Sequence, residues 1–272
     1  MRPHDSSLPF ILHSPSFILL FLLAIFPRPV PAGEHELKLR MQKKIYHAAA
    51  GETLRYRIYV PRNYDPRDKY PLILFLHGID GRGQDNEAQL KHPEVLRLIS
   101  DGVQVRYPCF LVAPQCPKDE KWVDVPWGSP TPHPTPAEPT AALRRVMELL
   151  DSLDKQFSTD PARHYVTGIT MGAFAAVECC LRRPEYWAAA FPVCGGGDDS
   201  RAADLAKIPM WFFHGERDTA VPVQRARSMI AALKAANGSA RYSEYSGLVN
   251  VWQQAYNDSE LPGWLFSQQR KP

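Results

Sequence analysis

A mostly parallel, twisted sheet of about eight strands with helices on both faces, an α/β fold, is what this sequence predicts. Three features carry the expectation. Short apolar runs alternate with amphipathic stretches along the chain, as strands buried on both faces alternate with the helices that cover them. Every glycine-rich or acidic segment falls just after an apolar run, at the C-terminal edge where open α/β sheets bind ligands. A run of β-branched and aromatic residues ends at Gly168-Ile169-Thr170-Met171-Gly172, and a small-residue helical stretch follows. The spacing predicts a sharp strand-to-helix turn that presents one hydroxyl between two glycines.

The chain has 272 residues. Arg2 lies in a polar start, an apolar run follows over residues 17–26, and Pro27, Pro29, Pro31 and Ala32 come next. Ten apolar residues are too few to span a bilayer. Val30 and Ala32 suit a signal-peptidase site, so residues 1–32 are expected to be a cleaved signal peptide and the protein secreted or periplasmic, with no stable membrane anchor. Residues 33–272 suffice for one large domain. The net charge is +3 with both signs mixed, which gives no footprint for nucleic acid. Five cysteines are an odd count. Cys179 and Cys180 adjoin in a helical stretch, and Cys109 and Cys116 flank one extended run. Free buried thiols are expected, with no disulfide framework.

Residues 44–47 and 54–60 read as an antiparallel opening pair, the second alternating as a half-buried strand does. Pro61 and residues 63–69 make a turn. Residues 72–76 are a continuous apolar strand, ending in His77-Gly78-Ile79-Asp80-Gly81-Arg82-Gly83. A helix is expected over 89–100, with Leu90, Val95, Leu96 and Leu98 inward. A strand at 109–113 leads into an irregular, proline-rich segment, residues 114–139, too long for an ordinary connection. Residues 141–157 are amphipathic, with Leu143, Val146, Leu149, Leu150 and Leu153 at helical spacing. The turn strand (164–167) and its helix come next. Strands follow at 188–193 and 210–213, then a helix at 223–236 closed by Asn237-Gly238. A last strand at 240–245 and a helix from Trp252 complete the order.

Strand, turn and helix with glycines around a central hydroxyl form the context of a G-x-S-x-G nucleophile elbow, written here with Thr170 in place of serine. Several further segments stand in a fixed order with it: Tyr70-Pro71-Leu72 through Leu76-His77-Gly78, Ala113-Pro114-Gln115-Cys116-Pro117, Cys194-Gly195-Gly196-Gly197, Phe213-His214-Gly215 and Trp252. Together they resemble the secreted carboxylesterase branch of the α/β-hydrolases, whose members are polyhydroxybutyrate depolymerase-like, feruloyl-esterase-like or "predicted peptidase" proteins. The resemblance covers nearly all of residues 46–270. It implies an α/β-hydrolase fold, a Ser–Asp–His triad, a small-molecule or polymeric ester as partner, and neither a metal nor an organic cofactor.

Carried over residue by residue, the resemblance puts Thr170 at the nucleophile position and Asp218 at the acid, with Asp198 and Asp199 as weaker alternatives. The backbone amides of Met171 and Ile79 are the expected oxyanion donors. Relatives usually have glycine where Asp80 stands, and a carboxylate there works against an oxyanion unless it points to solvent. The base is missing. Where relatives read like Y-P-G-V-G-H-N-S-W, this chain reads Tyr245-Ser246-Gly247-Leu248-Val249-Asn250-Val251-Trp252, one residue shorter. The histidine position falls on Val249 counted backward and on Asn250 counted forward. His77 and His214 match loop-shaping positions, His164 lies at the far end of its strand, and His133 in the proline-rich segment is the one candidate substitute. Trp122 and Trp127 are candidates to stack on a sugar or aromatic acid, or else to pack the loop. Two readings stay open: an ester-binding protein with impaired catalysis, or an ester hydrolase using Thr170 and another base.

Overall fold

The computed structural model describes residues 33–49 and 51–270; the expected leader and its cut lie outside them. Eight strands form one sheet: β1 (Gln42–His47), β2 (Thr53–Tyr59), β3 (Tyr70–Leu76), β4 (Phe110–Pro114), β5 (Thr159–Ile169), β6 (Ala189–Val193), β7 (Met210–Gly215) and β8 (Ala240–Tyr245). Their order is β1-β2-β4-β3-β5-β6-β7-β8. β1 and β2 are antiparallel to each other, and β2 is antiparallel to β4. The other pairs are parallel, so β3, β5, β6, β7 and β8 all end at one edge.

The helices are α1 (Glu34–Arg40), α2 (Asp101–Arg106), α3 (Ala141–Gln156), α4 (Met171–Arg182), α5 (Ala202–Leu205), α6 (Gln224–Ala235), α7 (Trp252–Asn257) and α8 (Leu261–Ser267). Strand residues alternate between two cores, as the two-residue repeat of a strand requires. Leu72, Leu74 and Leu76 of β3 pack with α3, α4 and α6 on one face. Ile73 and Phe75 pack with α1, α7 and α8 on the other. α3 is capped by Thr140, whose side chain accepts the Leu143 amide at 3.1 Å. α6 closes as expected: Asn237 takes φ +58° and the Gly238 amide reaches the Leu233 carbonyl at 2.8 Å.

The helix expected over 89–100 does not form. Two 3₁₀ segments, Ala88–Leu90 and Pro93–Ile99, stand there instead. Pro93 lacks an amide hydrogen and holds His92 in extended geometry, φ −100° and ψ 93°. The apolar side chains still point inward. α1, α2, α5 and α8 were not expected; at four to seven residues each they are too short for periodicity to reveal. All five cysteines are free and buried. Among the described residues, no helix is long and apolar enough to cross a membrane.

The proline-rich segment has neither helix nor strand over residues 115–140. Prolines offer carbonyls without amides, so side chains must supply the donors. Buried Arg225 donates to the carbonyls of Thr131 (2.8 Å) and Ser129 (3.3 Å), and to His133 Nδ1. Arg182 donates to Pro136 O at 2.8 Å and Ala137 O at 3.3 Å. Asp198 accepts the Thr135 amide at 2.6 Å. These contacts make the segment a strap latched over α4 and α6.

Candidate active site

β5 ends in a turn at Thr170, which takes φ +49° and ψ −113° before α4 starts at Met171. Such a backbone strains a residue by about 1–3 kcal/mol, and a β-branched one most. The Thr170 amide donates to Val193 O at 3.0 Å and ties the turn to β6. Both neighbouring glycines are required by close approach. A Cβ at Gly172 would lie 1.8 Å from Leu76 O, and one at Gly168 would lie 2.2 Å from Gly172 O. The hydroxyl faces the β3 loop: a Cβ at Gly78 would meet Thr170 Oγ1 at 2.6 Å.

Met171 is the first residue of α4, and Ile79 is the first of a 3₁₀ turn, Ile79–Gly81. The first amides of a helix have no intrahelical acceptor. Both therefore remain open to a carbonyl oxygen at this edge. The loop carrying Ile79 is held rigidly. His77 Nε2 accepts the Cys116 amide at 3.0 Å, so Nδ1 carries the hydrogen and donates to Gly78 O at 2.6 Å. Burial pushes the His77 pKa down to about 4, which keeps the ring neutral. Trp122 Nε1 donates to His77 O at 3.2 Å. Trp122 is fully buried. Its expected role in a substrate pocket is thereby corrected: it buttresses the β3 loop from below.

Asp218 follows β7, and its side chain is only 4 % exposed. Oδ1 accepts the amides of Ala220 and Val221, both at 2.9 Å. Oδ2 lies 3.6 Å from His214 Nε2, but that nitrogen donates to Val221 O at 2.9 Å. Burial keeps His214 neutral. Cys194 lies beside them; one ligand-type atom from each of Cys194, His214 and Asp218 falls within 4.8 Å of the others. Burial, with the Asp218 charge adding to it, pushes the Cys194 thiol up to about 12.

The loop after β8 lies flat on the end of β7. Leu248 O accepts the Arg217 amide at 2.9 Å. A Cβ at Gly215 would meet Leu248 O and Val249 O, both at 2.5 Å. Val249 is left half exposed and Asn250 exposed, and neither reaches inward as a base must.

The Esterase family model matches residues 48–265. The chain belongs to the Esterase family. Among curated proteins none matches it. A solved thermostable esterase superposes with a TM-score of 0.79 at 33% identity, over 85% of this chain and 64% of that one. This chain thus spans less than two thirds of that esterase's length. A ferulic acid esterase from Anaeromyces mucronatus, solved with ferulic acid, gives a TM-score of 0.59 at 14% identity, over 80% and 88% of the two chains. A feruloyl esterase module from Clostridium thermocellum, complexed with sinapinate, gives 0.58 at 17%, over 82% and 87%. The last two are likenesses of fold, which is the α/β-hydrolase fold.

Within this esterase fold the candidate residues separate into two groups. Thr170, Met171, Ile79, Asp218 and Val249 all follow C-terminal strand ends of the same sheet edge. His133 does not serve the elbow. Its Nδ1 takes the Arg225 hydrogen bond, and burial with the Arg225 charge pushes its pKa down to about 4. The cavity it lines, with Phe174, Glu178 and Asp198, includes neither Thr170 nor a tryptophan. His164 lies six residues before Thr170, about 20 Å along an extended strand, packed 4.3 Å from Tyr186. Asp198 latches the strap, and Asp199 starts a 3₁₀ turn. Trp127 is partly buried against the core, with Lys121 Nζ 5.4 Å from its ring.

The sequence reading passed over His92. Its Nε2 meets Asp80 Oδ2 at 2.7 Å, and its ring lies 4.1 Å from that of Trp252. Asp80 therefore neither points freely to solvent nor stands alone. The pairing spans twelve residues of irregular chain, and no spacing rule signals it.

Proposed function

We propose that this esterase-family protein binds carboxylic esters, small or polymeric, at the elbow and hydrolyses them slowly, with the Thr–Asp–His relay impaired. One observation carries the reading: Thr170 Oγ1 sits at the elbow beside two open amides, yet makes no hydrogen bond to any histidine among the described residues. A hydroxyl without a base stays protonated and is a weak nucleophile. In a serine protease, loss of nucleophile or base alone lowers turnover about a million-fold, leaving roughly a thousand-fold over water from binding and the oxyanion hole. Ile79 and Val249, about half exposed at the same sheet edge, offer an apolar rim for an acyl or aryl group. The protein is proposed to act outside the cytoplasm as a chain starting near Gly33; N-terminal sequencing of exported material checks that.

The test is turnover of 4-nitrophenyl acetate, with 4-nitroacetanilide as a non-hydrolysed competitor. Slow turnover with competition is expected. Ordinary esterase rates would show an efficient base at the elbow, and absence of competition would remove ester binding.

A further inference from the structure

Resting on that ester-binding reading, we infer that Asp80 is the general base of this site: its Oδ1 takes a proton from a water that attacks the bound ester directly, and Thr170 forms no acyl-enzyme. Asp80 follows Ile79, the expected oxyanion donor, in sequence. Its two oxygens have different surroundings. Oδ2 is held by His92 Nε2 at 2.7 Å and Lys91 Nζ at 3.3 Å. Oδ1 has no partner among the described residues and turns to the elbow. A Cβ placed on Gly78 would lie 3.6 Å from Asp80 Oδ1 and 2.6 Å from Thr170 Oγ1, so both oxygens flank one point. The carboxylate is 37% exposed, which gives water access to it.

The support behind Asp80 is fixed. Pro93 holds His92 in extended geometry, and Trp252 at the start of α7 packs against the imidazole in an edge contact, with an interplanar angle of 62°. His92 acts through its hydrogen bond to Asp80, so it is a positioning residue. Burial raises the Asp80 pKa, but the hydrogen bond and charge of His92, with Lys91, outweigh it and hold the carboxyl below its usual range. The charged or titratable groups around it are His92, Lys91, Arg82 and neutral His77.

The step balances as a hydrolysis. The water oxygen bonds to the ester carbonyl carbon and its proton passes to Asp80 Oδ1. The carbonyl oxygen becomes an oxyanion held by the amides of Met171 and Ile79. The carbon–alkoxide bond then breaks, and the Asp80 proton goes to the leaving oxygen, giving one acid and one alcohol. An anionic Asp80 disfavours an oxyanion beside it. Taking the proton removes that charge as the oxyanion forms, so the conflict is confined to the ground state. General-base help is worth about 10²–10⁴-fold, and a carboxylate of low basicity belongs at the bottom of that range.

Hydrolysis of 4-nitrophenyl acetate is compared in wild type, Asp80→Asn, Asp80→Glu and His92→Gln, with intact mass after rapid quench. Asp80→Asn is expected to lower the rate about 100-fold while 4-nitroacetanilide still competes, and Asp80→Glu to restore part of it. The wild-type rate should fall only in acid below the ordinary carboxylate range, and His92→Gln should move that fall to higher pH. No acetyl adduct should appear on the quenched protein. An adduct at Thr170, an Asp80→Asn rate equal to wild type, or no turnover above buffer each overturns the assignment and leaves ester binding standing. Loss of competition in the wild type overturns ester binding itself.

Discussion

The two sides of the elbow differ in how firmly they are built. On the β3 side, Cys116 and Trp122 each donate a hydrogen bond to His77 beside the oxyanion loop, and two glycines let β3, β5 and α4 pass within contact. On the β7–β8 side, the loop lies collapsed on Gly215, and Asp218 is satisfied by its own turn. The β3 side is packing as much as chemistry, because removing it would open the core. The β8 loop is where the family resemblance expects a relay histidine, and it lies closed on Gly215 instead.

The largest test of this contrast is to rebuild the weak side. Thr170→Ser alone, or a histidine inserted between Leu248 and Asn250 alone, should each change esterase turnover less than about tenfold. The two together should gain a thousand-fold or more, since relay members act as a unit. Chromogenic ester kinetics on all four proteins decide it; additive gains would mean that the β8 loop is not where the relay was lost.

The strong side should break under one methyl. Gly172→Ala places a carbon 1.8 Å from Leu76 O, and should cost about 3 kcal/mol or more in urea unfolding. Gly247→Ala on the weak side has nothing within 4 Å and meets only its φ of +74°. That should cost about 1 kcal/mol. Equal losses would erase the contrast.

A third test concerns acid. Asp85 accepts the amides of Glu87 and Ala88 and the Gln115 side chain, and these bonds hold its pKa down to about 2. The folded value lies below the unfolded one, so its stabilisation is complete above about pH 5 and is lost as pH falls toward 2. Asp85→Asn should flatten part of the acid limb of a stability–pH curve; an unchanged limb would remove Asp85 from the bracing of this side.

The smallest effect is relief of strain. Thr170→Gly should raise Tm by about 2–4 °C, equivalent to about 1 kcal/mol. A lower Tm would mean that the threonine side chain holds the turn more than it strains it.

The central strands were legible because both their faces are buried, so continuous apolar runs such as Leu72 to Leu76 had one reading. The elbow was legible because Gly168 and Gly172 mark close approach. The 3₁₀ segments were not, since Pro93 breaks a pattern whose apolar spacing still looks helical. Trp122 stayed open between stacking and packing because a tryptophan in an irregular segment has the same sequence signature whether it faces solvent or supports a loop; its burial decides for packing. His92 escaped because its partner, Asp80, is reached only through the fold.

The strands at the ends of the sheet have a consequence for the protein in concentrated solution. Among the described residues β1 and β8 are the outer strands of the sheet, and an outer strand offers a backbone edge to which another strand can add. On β1, Lys43 is paired with Glu87 and the Lys44 carbonyl is taken by Asn86 Nδ2 at 3.1 Å. On β8, Arg241 and Glu244 form ion pairs with Glu260 and Arg227. Each edge therefore presents fixed charge to an approaching copy, and β1 an occupied acceptor as well. Ile45, half exposed just after the two lysines, is the apolar point of β1 that this charge guards; neutralising its neighbours exposes a sticky ribbon along which molecules can stack into fibres.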